Sequence, residues 1–282
     1  MEIAEDSRAL RRTFHGLPFQ PKYMAVRLTN QKLRMLAVMC TVLLLTAALP
    51  VTTAQNLPGG NENTSASALF NKSEFALDDP TSLWVIVNKT RPLPEGYVPA
   101  DLVVPHVRLQ LSPKAERMHV RQVAAGPLQD LFAAAHDAGF NLELLSGYRS
   151  ATYQKKIYDN YVKKLKARAA IASAQPGYSE HETGLAVDVD RYKDLRCLAM
   201  PCFAVMPEAK WLADHAHEFG FIIRYEKDKE SITGYEYEPW HLRYVGKELA
   251  EELFLKHQTM EEFFDVASAS KNSTAAIPKD NR

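Results

Sequence analysis

The chain has 282 residues, with 34 Lys+Arg against 34 Asp+Glu, 46% hydrophobic and 10% aromatic residues, and three cysteines. The balanced charge excludes a strongly basic nucleic-acid binder, and the apolar fraction excludes a disordered chain. Three cysteines are too few for a disulfide scaffold, and no pair of C-x-x-C units marks a structural zinc site.

The charge is unevenly distributed. Residues 1–54 hold seven basic side chains, Arg8, Arg11, Arg12, Lys22, Arg27, Lys32 and Arg34, against Glu2, Glu5 and Asp6, which leaves 27 basic and 31 acidic residues for the rest. From Met35 to Leu49 the chain is uncharged and apolar, with Lys32 and Arg34 before it and Pro50 and VTTA after it. A spanning helix needs roughly 20 apolar residues and a signal h-region about 7–15. Residues 1–54 therefore read as a basic leader and signal peptide cut near Ala54. An uncleaved membrane anchor through residues 35–51 is the alternative. The basic segment before the apolar run is long, and a start at Met24 would make it conventional. Cys40 follows Met39, not a small residue, which argues against a lipoprotein site.

Residues 55–80, rich in Asn, Ser, Gly and Pro, read as a flexible linker, and residues 266–282 read as a disordered tail. The folded domain is expected at 81–265. Within it, Leu83–Val87 reads as a short strand, and 91–105 as a Pro-punctuated extended segment. Val120, Val123, Leu128, Leu131, Phe132 and Ala135 predict a helix over Lys114–Ala138 ended by Gly139. Phe140–Leu145 predicts a strand, followed by Ser146-Gly147-Tyr148-Arg149-Ser150. Ser150 is placed to cap a helix with Tyr153, Ile157, Tyr161, Val162 and Leu165 on its apolar face. The lysines of that helix read as its solvated face. A further helix is predicted over Pro207–Phe219, ending at Gly220. Without a βαβ rhythm, these elements point to an α+β fold: a single domain with a small, mainly antiparallel sheet flanked by helices.

The chemistry concentrates in two segments. Residues 179–190 read SEHETGLAVDVD, in which Leu185, Val187 and Val189 alternate with Ala186, Asp188 and Asp190 as in a half-buried strand. His181-Glu182 begins like H-E-x-x-H, but Leu185 stands at the fifth position and Gly184 interrupts the segment, so the helical two-histidine motif fails. In the second segment, Pro239 suits a strand entry, after which Trp240, Leu242 and Tyr244 face one way and His241 and Arg243 the other. Hydrolytic zinc sites use three protein ligands and keep one position open. His181, Asp188 and His241 offer such a set, with Glu238 as the candidate base. On spacing alone, each histidine reads equally well as a packed sheet residue. Asp190 reads equally as a partner to a ligand or as part of a strand-end ion pair.

The pattern S-x-H-x-x-G-x-A-x-D, matched by Ser179, His181, Gly184, Ala186 and Asp188 and followed by E-x-x-H at Glu238 and His241, resembles the zinc D-alanyl-D-alanine carboxypeptidases of the VanY type. SGYRS at 146–150, HEFGFIIRY at 217–225 and ITGYEYEPWHLRYVG at 232–246 are similar as well. The resemblance implies a catalytic Zn2+ in a cleft on the sheet, held by His181, Asp188 and His241. It implies Glu238 as the base, Arg149 as the group facing the oxyanion, and Ser179 and Gln154 as holders of the substrate's terminal carboxylate.

The expected activity is removal of the C-terminal D-alanine from peptidoglycan stem peptides, outside the cytoplasm and facing the wall. An L,D-carboxypeptidase or an endopeptidase would use the same scaffold on another bond. A non-catalytic wall-binding module would have no use for Glu238 beside a full ligand set. No nucleic acid or organic cofactor is expected. His215 and His217, two apart on a helix, point to different faces and cannot share a metal easily. Cys197 and Cys202 form a candidate disulfide after export. Ser268-x-x-Lys271 matches a serine-enzyme motif by chance in the tail.

Overall fold

The computed structural model describes residues 71–192 and 200–266, which belong to the second of two units, 66–282. The apolar run at 35–49, Cys197 and the Ser268–Lys271 motif lie outside the described residues. Cys202 is disulfide-bonded. Among the described residues no helix is long and apolar enough to cross a membrane.

In chain order the elements are β1 (Leu102–Val103), β2 (Val120–Arg121), α1 (Gln122–Asp137), β3 (Leu142–Ser146), α2 (Ala151–Leu165), α3 (Ala169–Ala172), β4 (Ala186–Arg191), α4 (Pro207–His215), β5 (Phe221–Ile223), α5 (Glu230–Thr233), β6 (His241–Tyr244), α6 (Lys247–Lys256) and α7 (Met260–Phe263). β1 pairs with β2, and a four-stranded sheet runs β3-β4-β6-β5 with every neighbour antiparallel. The fold is α+β, as the absence of a βαβ rhythm predicts.

Alternation divides the sheet into two chemical faces. Leu185, Val187 and Val189 of the β4 segment and Leu242 and Tyr244 of β6 enter the main core. The buried face of α1, Ala124, Leu128, Leu131, Phe132 and Ala135, enters the same core, and these residues fall on one side of a 3.6-residue helix. Asp188, His241 and Arg243 project from the opposite face. α2 begins where expected, with Ser150 Oγ accepting from Tyr153 N at 3.2 Å. The segment after α4 continues as a 3-10 turn, Ala216–Phe219, and stops at Gly220 with φ +82°.

Three expectations are corrected. The helix predicted over 114–138 starts only at Gln122, because the preceding backbone is engaged elsewhere. The carbonyl of His119 accepts from Tyr148 N at 2.7 Å, and Val120–Arg121 pair with β1. Leu83–Val87 joins no sheet. Its residues 85–87 are buried, with Val85 in the main core and Ile86 in a second one, and Arg243 Nη2 donates to the carbonyls of Leu83 and Val85 at 3.1 and 2.8 Å. Residues 71–80, expected as linker, carry a 3-10 turn at Lys72–Glu74. Phe75 packs edge-on against Trp84 and tilted against Phe264, with ring centroids 4.5 and 5.2 Å apart. Phe75 and Leu77 pack this polar stretch against the second core, and Arg91 Nη2 donates to the Leu77 carbonyl at 3.1 Å.

Candidate metal and catalytic centre

A single row of residues crosses three strands. Ser146 of β3 stands opposite Asp188 of β4, and Asp188 stands opposite His241 of β6. An irregularity between Leu144 and Ser146 shifts the register at the β3 end, where the chain leaves toward Arg149. His181 arrives from outside the sheet on a 3-10 turn, Glu180–Thr183, closed by Gly184 at φ +69°. This left-handed closure suits glycine. It places His181 Nδ1 2.7 Å from the Gly147 carbonyl, while the His181 carbonyl accepts from Arg149 N at 3.2 Å.

His181, Asp188 and His241 converge, with their candidate ligand atoms all within 4.8 Å of one another. Asp188 Oδ1 lies 3.3 Å from His181 Nε2 and 3.2 Å from His241 Nδ1. The two imidazoles meet edge to face, with centroids 4.8 Å apart. All three residues are buried, yet His181 Nε2 and Asp188 Oδ1 have no hydrogen-bond partner. Orphaned buried acceptors are rare because each carries its full desolvation penalty. A carbonyl can only accept, so the Gly147 contact puts the His181 proton on Nδ1 and leaves a lone pair on Nε2. The N, O, N donor set therefore fits a zinc ion with three protein ligands.

The three groups are shifted in different directions. Burial and the Arg149 guanidinium push His181 down to about 4, which keeps its imidazole neutral. Burial opposes protonation of His241, but Asp188 and Glu180 outweigh it and raise the group to about 9. Burial alone would raise the Asp188 carboxyl, yet the Arg149 guanidinium paired with it helps hold it well below the usual carboxylate range.

Arg149 donates from Nε to Ser146 Oγ at 2.9 Å and from Nη2 to Asp188 Oδ2. These two bonds leave the rest of its five-donor fork uncommitted, and the side chain remains 16% exposed. Glu238 precedes β6, its backbone held by Tyr225 O at 3.0 Å, and its Oε2 lies 3.7 Å from His241 Nδ1. Burial pushes the Glu238 carboxyl up to about 7, a rise that His241 opposes and Asp188 reinforces. Its side chain is 16% exposed, so solvent reaches it.

Among the described residues no hydrogen bond links the Ser179 or Gln154 side chain to this cluster. Both are buried, but Gln154 spends its amide N–H on Ala174 O at 2.7 Å, and its Oε1 is unpartnered. His215 bonds Glu218 at 2.8 Å, and His217 stacks on Phe254. Asp190 stands opposite Glu143, two residues along β4 from the cluster. The structure adds members that periodicity did not single out: the Gly147 carbonyl, Tyr161, and a fully buried ionic group of Glu180, Arg224, Arg243 and Glu261 behind His241. Tyr161 was assigned to a packing face, but it is 37% exposed and within range of the charges of Glu238, Arg149 and Asp188. A lone arginine on the same strand face as a candidate ligand, as in HLRY, was the available signal for the ionic group.

Comparison with known proteins places this geometry in a family. Residues 117–247 match the family model for VanY, D-alanyl-D-alanine carboxypeptidase. The putative carboxypeptidase YodJ of Bacillus subtilis (strain 168) is 44% identical over 190 residues, covering 67% of this chain and 69% of its own. The structure of the LdcB LD-carboxypeptidase superposes with a TM-score of 0.62 at 42% identity, over 67% of this chain and 88% of that one. A variant of the vancomycin-resistance D,D-pentapeptidase VanY from a VanB-type cassette, solved in complex with Zn(II), gives a TM-score of 0.52 at 34% identity, over 65% and 98%. The chain therefore belongs to the VanY family of D-alanyl-D-alanine carboxypeptidases and is a carboxypeptidase of peptidoglycan peptides.

Proposed function

We propose that the protein is a zinc-dependent, extracytoplasmic enzyme that hydrolyses the bond before the C-terminal D-alanine of a peptidoglycan stem peptide. The observation that carries this reading is the convergence of His181 Nε2, Asp188 Oδ1 and His241 Nδ1 on one buried point, with the Glu238 carboxylate beside it. Zinc held there by these three residues would supply Lewis acidity, polarising the scissile carbonyl and making water acidic enough to attack at neutral pH. The Glu238 carboxylate takes the proton of the attacking water and returns it to the leaving amine, which is the work of a partly exposed base next to the centre. Arg149 keeps donors available for the carbonyl oxygen as negative charge develops on it. Buried Ser179 and Gln154, whose Oε1 lacks a partner, are assigned to the substrate carboxylate on the family pattern alone. The basic leader and apolar run before Ala54 support export.

The D,D bond is the first reading, from the family description over 117–247. A second reading, the L,D bond of a tetrapeptide, draws support from the greater likeness to LdcB, at 42% identity against 34% for the D,D-pentapeptidase. Incubating the protein with pentapeptide and tetrapeptide stems and identifying the products by mass spectrometry separates the two. Release of D-alanine from neither would overturn the carboxypeptidase reading as a whole.

A further inference from the structure

Two unpartnered atoms face each other behind the ligand cluster. His241 Nε2 and Glu180 Oε2 both lack a hydrogen-bond partner, lie 3.8 Å apart, and belong to side chains 5% and 0% exposed. The other oxygen of Glu180 is fixed, since Oε1 accepts from Arg224 Nε and Arg243 Nη1, each at 2.8 Å. Arg224 is held in turn by Glu261 at 2.8 and 2.6 Å, and Arg243 by the carbonyls of Leu83 and Val85. Glu180 is thus clamped at one oxygen, with the other turned toward the back of His241.

We propose that Glu180 is a positioning residue for His241. With zinc on Nδ1, Oε2 would close from 3.8 Å to accept the Nε2–H, which fixes the imidazole tautomer and aims the Nδ1 lone pair at the point shared by Asp188 and His181. Histidine ligands commonly donate their second N–H to a carboxylate or carbonyl, and loss of that partner weakens metal binding about 10–100-fold. His181 already has such a partner in the Gly147 carbonyl, at 2.7 Å from Nδ1. Glu180 supplies the counterpart for His241 with the opposite nitrogen, so the two imidazoles are presented through different atoms. The buried charges also find an account here. Ion pairs removed from water are seldom more stabilising than apolar packing of the same volume, whereas two arginines that immobilise one carboxylate under a ligand give that ligand a fixed direction.

The proposal rests on reading the cluster as a zinc centre, and the tests separate the two. Full-length protein labelled with 15N-histidine is loaded with zinc, its metal content measured, and its imidazoles observed by long-range 1H–15N correlation. The expected result is one bound zinc, a protonated Nε2 on His241 with a downfield proton, and the reverse tautomer on His181. Protein that binds no zinc sinks the metal reading and this proposal with it. Zinc bound through Nε2 of His241 overturns the proposal alone. Glu180→Gln should lower zinc affinity about 10–100-fold and shift the visible bands of the Co(II)-substituted protein. Phe75→Ala, which loosens packing on Trp84 and Phe264 and touches neither the ionic group nor His241, should leave affinity and spectrum unchanged. Equal weakening by both variants would mean a merely structural role and overturn the proposal. If Glu180→Gln fails to fold, the wild-type spectrum decides by itself.

Discussion

Asp188 and His241 occupy directly opposed positions on β4 and β6, and their side chains meet with Oδ1 3.2 Å from Nδ1. Strand register, not a local motif, therefore brings two candidate ligands together. Asp188→Asn keeps the shape and removes the charge. Without a carboxylate to balance the cation, zinc affinity should fall by more than about 100-fold, beyond the loss for an outer partner. Calorimetric zinc titration against wild type checks this, and unchanged affinity would remove Asp188 from the ligand set.

Glu238 lies beside the cluster and outside the set whose atoms converge. Glu238→Ala should keep stoichiometric zinc while kcat falls about 10²–10⁴-fold, the usual contribution of a positioned base. Metal analysis and steady-state kinetics on one preparation provide both readouts. Normal turnover by the variant would mean that another group moves the proton.

Gly147 carries a steric prediction. A Cβ at this position would stand 2.2 Å from the His119 carbonyl oxygen and 3.0 Å from Val120 Cγ1. The backbone would have to move, and the Gly147 carbonyl that holds His181 would move with it. Gly147→Ala should cost about 1–3 kcal/mol of stability and weaken zinc binding about 10-fold or more. Chemical denaturation and metal titration measure the two effects.

The faces of β4 and β6 were legible because alternation has period two, and Leu185, Val187, Val189 and Leu242 left little choice of core side. That same period placed Asp188, His241 and Arg243 on the other face. What could not be read was non-local. The break of the predicted 114–138 helix depends on a carbonyl bonded by Tyr148, and the order of residues 71–80 depends on Phe264, far along the chain. Glu180 was hidden for a related reason. A charged residue in a polar loop reads as solvated, and its burial follows only once Arg224, just after β5, and Arg243 of β6 arrive.

Phe75 tests where the folded part begins. Its half-buried ring packs on Trp84 and Phe264. Phe75→Ala should cost about 2 kcal/mol, below the 3–5 typical of a fully buried aromatic. Zinc affinity should not change, because no ligand residue belongs to the second core. A denaturation midpoint equal to wild type would return residues 71–80 to the linker.

Glu261 makes acid stability predictable. Burial opposes its ionisation, but Arg224 outweighs burial and Asn88 adds a hydrogen bond, so its folded pKa lies below the ordinary value. The unfolded chain then binds the proton more readily, and the stability from this group is present above the unfolded pKa of about 4.3. It is lost as pH falls through the lower folded value. Glu261→Gln should lower stability at pH 7 by about 3 kcal/mol, the low end for breaking a buried ion pair. It should also flatten the fall in stability below about pH 4, because the variant has no proton to take up at this position. Urea denaturation from pH 7 to pH 3 gives both values, and an acid slope identical to that of wild type would assign the proton uptake to another carboxylate.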